Sequence, residues 1–167
     1  MPAGSTYTPI ETYTLGSAQT DVTFSSFSGY TDLVLVIAAR LTGGGGASAI
    51  KLQFNGDTGN NYSGTILSGD GSTASSFRDT SQSSMSAGIA TDASGQISTN
   101  MIQIMNYANI TTYKSVLARY GIAGDRVREA VGRWASTSAI TSIKIINNGA
   151  TTFVAGSTFT LYGIVAA

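Results

Sequence analysis

Ile50, Leu52 and Phe54 alternate with Lys51 and Gln53. Period-two alternation marks a strand with one face in a core and the other toward water. The pattern recurs at Val22-Thr-Phe-Ser-Ser, at Ile143 and Ile145 within 140–146, and at Phe159, Leu161 and Gly163 opposite Thr158, Thr160 and Tyr162. Leu33–Ile37 breaks it with an unbroken apolar run in which Val34, Val36 and Ile37 are β-branched. Asp32 and Arg40 flank the run, and Gly43–Gly46 follows. A short Val-rich run that meets four glycines is a poor helix and a good strand covered on both faces. The stretch Tyr30–Leu41 is therefore expected as the central strand of a sheet.

Further strands are predicted over 10–15, 64–67, 74–78, 97–105, 113–122, 126–134 and 157–165, with turns at Ser28-Gly29, Asn55-Gly56 and Asn147-Asn148-Gly149. Met101, Gln103 and Met105 face away from Ile102 and Ile104, so the 97–105 strand has apolar residues on both faces. Residues 80–96 carry the weakest pattern and read as a long loop with one short strand at 85–89. A short helix within 123–134 is the alternative to a strand there, because Asp125-Arg-Val-Arg-Glu-Ala is helix-tolerant. This run of short strands separated by turn signals implies an all-β chain folded as a single-domain antiparallel β-sandwich, jelly-roll-like in its connections. That domain is expected over 10–167. An extended N-terminal arm, 1–9, precedes it, punctuated by Pro2 and Pro9, which are the chain's two prolines.

Composition sharpens this picture. Over 167 residues, 42% are hydrophobic but only 11% charged, and Lys+Arg balance Asp+Glu at nine each. Without a basic excess, nucleic-acid binding loses its electrostatic driver. Low surface charge weakens the repulsion that keeps chains apart, which favours assembly. The chain has no Cys and no His, which removes most zinc sites and the Ser-His and Cys-His nucleophile systems. No apolar run approaches the ~20 residues of a membrane span. No signal peptide is expected from the N-terminal residues.

Candidate chemistry is sparse. The carboxylates Glu11, Asp21, Asp32, Asp57, Asp70, Asp79, Asp92, Asp125 and Glu129 mostly neighbour Gly, Ser or Thr, as turn and capping residues do. Asn55, Asp57 and Asn60 crowd one turn and form a weak calcium candidate, although turn chemistry explains them without a metal. Gly43–Gly46 lacks the Lys and Ser/Thr of a phosphate loop. Lys114, Arg119, Arg126, Arg128 and Arg133 interleave with Tyr113, Tyr120 and Trp134. Arg with aromatics is the composition of interface hot spots. A solvated strand pair with cross-strand ion pairs explains the same residues. The interface candidates are thus Pro2, Pro9, Tyr113, Arg119, Tyr120, Arg126, Arg128, Arg133 and Trp134. No cofactor is expected.

Several segments taken together carry a resemblance: 14–27, Tyr30–Val36, Gln53–Ser63, Ile104–Lys114 and Gly156–Ile164. They resemble small virion structural proteins of tailed bacteriophages and related domains of phage tail fibres, over about Ile10 to Ile164. The resemblance rests on turns and strands, not on a catalytic signature, and transfers no functional residues. It implies a β-sandwich that self-associates, often as a trimer, and attaches to a capsid or tail in the virion. The expectation drawn from it is a non-enzymatic capsid decoration or cement protein that binds the major capsid protein and stabilises the head. The alternative is a tail-fibre or receptor-binding module whose loops 55–63 and 80–96 contact host surface glycans.

Overall fold

The computed structural model describes residues 6–43, 46–93, 95–148 and 151–165. Among these there are twelve strands and no helix: β1 (Thr8–Thr14), β2 (Asp21–Ser25), β3 (Asp32–Ala39), β4 (Ala47–Phe54), β5 (Tyr62–Gly69), β6 (Ala74–Gln82), β7 (Met85–Thr91), β8 (Ser98–Met105), β9 (Lys114–Ile122), β10 (Arg126–Trp134), β11 (Ser142–Asn147) and β12 (Thr158–Ile164). They form one antiparallel β-sandwich of two sheets. The larger has eight strands in the order β1-β12-β3-β8-β9-β10-β5-β6, and the smaller has four, β2-β11-β4-β7.

The alternation read from the sequence builds this sandwich directly. Ile50, Leu52 and Phe54 of β4, Ile143 and Ile145 of β11, and Phe24 of β2 are fully buried and line the smaller sheet. Leu33, Leu35, Ile37 and Ala39 of β3, with Ile102 and Ile104 of β8 and Phe159 and Leu161 of β12, face them from the larger. Local turn chemistry sets the hairpins. The Asp70 carboxylate caps the β5–β6 turn by accepting from the Ser72 and Thr73 amides at 2.9 and 2.7 Å. Gly124, at φ +74°, closes the β9–β10 turn in a conformation that favours glycine.

Three expectations change at this level. The short strand expected at 85–89 is β7, but it runs on to Thr91 and β6 extends to Gln82, so residues 80–96 are mostly strand and not a long loop. Residues 126–134 are strand β10, paired on both sides with β9 and β5, which removes the helix alternative. The arm does not extend to residue 9, because Thr8 and Pro9 already pair with Gly163 and Tyr162 of β12. Pro9 is tolerated because β1 is an edge strand, and the register shifts immediately after it. Pro2 lies outside the described residues. The central strand is covered on its inner face throughout. On its outer face Val34 is buried while Val36 is 36% exposed.

Candidate functional site

The turn that carried the calcium candidate is a lock between segments distant in sequence. Asn55 sits at φ +54°, which Asn tolerates better than most residues. Its Oδ1 accepts from the Thr141 and Ser142 amides at 2.7 and 3.1 Å, and its Nδ2 donates to the Ala139 carbonyl at 2.7 Å. Asp57 accepts from Trp134 Nε1 at 2.7 Å, from Asn61 Nδ2 at 2.9 Å and from the Gly59 amide at 2.8 Å. The Trp134 bond contributes most to holding this carboxyl below its ordinary pKa. Tyr62 accepts from the Phe54 amide at 2.9 Å and donates to the Asp57 carbonyl at 3.0 Å. Burial pushes its phenol up to about 12. The Asn55 and Asp57 oxygens are thus already engaged by donors, and Asn60 is exposed on the same turn. Among the described residues no group of three or more His, Cys, Asp or Glu could hold a metal.

The basic-aromatic cluster does not form one surface. Successive residues of a strand point to opposite faces, and the register divides the cluster between the two sides of the larger sheet. Trp134 and Tyr120 face inward and are buried. Trp134 stacks on Tyr62, with centroids 6.4 Å apart. Lys114 is also inward and buried, donating to the Thr112 and Thr137 carbonyls at 2.9 and 3.2 Å. Desolvation lowers its pKa. Arg128, on the inward register, stacks over Phe77 of β6 and donates to Ser68 Oγ at 3.2 Å. Arg126 pairs with its neighbour Asp125 at 2.9 Å. Only Arg119 and Arg133 face outward. Arg133 lies over the ring of exposed Tyr113, and Arg119 pairs across the strands with Glu129 at 3.1 Å.

That outer face carries what the residue types alone did not reveal. Val36, Leu67, Met101, Met105, Val127 and Val131 are 36–70% exposed there. The sheet register aligns them in cross-strand rows. One row runs Val36, Met101, Arg119, Glu129, Leu67. The next runs Val34, Gln103, Leu117, Val131, Thr65. A third runs Ala38, Thr99, Gly121, Val127, Gly69. The Arg119–Glu129 pair is therefore ringed by Met101, Leu117, Val127, Val131 and Leu67. The period-two pattern of β8 and β10 contained this signal, since Met101 and Met105 lie opposite Ile102 and Ile104, and Val127 and Val131 opposite Ala130 and Trp134. An open groove of about 770 Å³ borders one end of the face. Asp70, Asp125, Arg119 and Arg126 line it, so its charge is balanced.

No family model matches the chain, and no curated protein matches it. A solved structure of the alginate lyase Aly36B matches over 92% of this chain and 77% of its own, at 12% identity and a TM-score of 0.35. This finding corrects the expectation of a non-enzymatic phage virion protein. The head-decoration and the tail-fibre readings are both withdrawn. At that TM-score and identity the likeness transfers no activity and no residue role.

Proposed function

We propose that this chain is a self-assembling β-sandwich module whose working surface is the outer face of the eight-stranded sheet. The observation that carries the reading is the set of six large apolar side chains exposed together on that face. Contiguous exposed apolar surface of this kind marks interaction sites on soluble proteins. The core needs none of these side chains, because the inner face already packs Leu33, Leu35, Ile37, Ile102 and Ile104 at full burial. The low charged fraction of 11% leaves little repulsion to oppose association.

Sedimentation velocity over a range of protein concentrations tests this. The wild type is expected to associate as concentration rises. Val131→Lys and Met101→Lys place a strongly hydrated charge within the apolar patch while leaving the core untouched, so each is expected to sediment as a monomer with an unchanged circular dichroism spectrum. A wild type that stays monomeric throughout, or variants that associate as well as it does, refutes the reading.

A further inference from the structure

Resting on that self-assembly reading, we infer that the occupant of the outer face is a second copy of this chain, related by a two-fold axis that runs along the strands between β9 and β10. The side-chain rows decide this. A two-fold axis in the plane of the interface lays β9 over β10 of the second copy, and β8 over its β5. At the centre of the face the register then matches side chains of complementary character. Arg119 falls opposite Glu129 of the second copy, and Glu129 opposite its Arg119. Within one row of the same register, Met101 falls opposite Leu67. In the next row Leu117 falls opposite Val131, and Gln103 opposite Thr65. In the third, the projecting Val127 falls opposite Gly121, which offers it space.

The centre of the face is thus complementary to itself in charge, in polarity and in side-chain size. The Arg119–Glu129 pair is the centre of that symmetry. Both side chains are largely exposed in the single chain, at 66% and 49%. They sit amid apolar neighbours where a second sheet excludes water and strengthens their attraction. A face of six strands spaced about 4.8 Å apart and eight residues long covers about 800 Å² per copy, which is the area that specific protein pairs bury. Aligned packing of two sheets face to face is an ordinary solution for apolar sheet surfaces.

Charge reversal tests the arrangement, read by sedimentation equilibrium. Arg119→Glu and Glu129→Arg each place like charges opposite one another twice in a homodimer, so each weakens self-association by at least ~10-fold. Mixing the two variants restores association as a one-to-one heterodimer, because every contact across the axis is then between opposite charges. Recovery on mixing is not expected if the two residues only pair within a chain. A wild type that associates, and that Val131→Lys disperses, but that neither reversal weakens, overturns the two-fold arrangement and leaves the self-assembly reading intact. So does a trimer, because a closed three-fold ring cannot place every copy's face against the same face of another. A wild type that never associates overturns both.

Discussion

The carboxylate of Asp57 receives donors from Trp134, Asn61 and Gly59, and each favours its charged form. Its folded pKa is therefore below the unfolded value of about 3.9. The contribution to stability is complete above that unfolded value and is lost as pH falls through the folded one. Asp57→Asn can still accept from Trp134 but carries no charge to protonate. Urea midpoints measured from neutral to acid pH, with the chain's one tryptophan as the fluorescent reporter, should fall less steeply in the variant below about pH 4. Identical slopes show that the lock does not couple to protonation. Tyr62 acts at the other limit. Its phenol is raised to about 12. The unfolded chain ionises first, near 10, so this residue lowers stability as pH rises from there through its folded value. Asp57 lies in a turn that reads simply as polar, and Tyr62 opens β5 just after it. Asn55-Gly56 signalled the turn, but sequence order carries no trace of the contacts from Asp57 to Trp134 and from Asn55 to Ala139.

At the level of strands, the two sheets pack tightly where β10 crosses β7. Gly132 faces inward there, and a Cβ placed on it sits 2.2 Å from the Met85 sulfur. Gly132→Ala is expected to cost about 1–3 kcal/mol through overpacking, and Met85→Ala about 2–5 kcal/mol through the void it leaves. Because each change relieves the other, the double variant should be clearly less destabilised than the sum, as a double-mutant cycle by chemical denaturation will show. Strict additivity means that the two side chains do not share this space. The same two elements explain where sequence reading succeeded and failed. Strands β4, β11 and β12 were legible because one face packs large apolar residues and the other is polar. Strand β7 was nearly hidden, because it buries Ala87, Gly88 and Ala90, small residues that leave no strong periodicity. Strand β6, an edge strand exposed along most of its length, has no face that requires apolar residues. The basic-aromatic cluster was compact in sequence yet split in space. Strand parity sends Trp134 and Tyr120 into the core and Arg119 and Arg133 outward.

For the molecule as a whole, an outer face that pairs with itself makes thermal stability depend on concentration. A second copy that binds the folded chain and not the unfolded one stabilises it by about 2.7 kcal/mol at a hundred times the dissociation constant. In a domain of this size each kcal/mol shifts Tm by about 2–4 °C, so the wild-type Tm should rise by about 5–10 °C between dilute and concentrated samples. Val131→Lys should show one Tm at all concentrations, close to the dilute limit of the wild type, because the substitution lies at a position the inner core does not use. Calorimetric scans across that range separate the two behaviours. A wild-type Tm that is independent of concentration means the apolar rows stay solvated and the sheet face is idle. Salt refines the reading: screening weakens the Arg119–Glu129 attraction, whereas sulfate strengthens apolar burial. A concentration dependence that grows in sulfate therefore identifies Met101, Leu117, Val127, Val131 and Leu67 as the source of affinity. The charged pair at their centre then sets which way the two copies face.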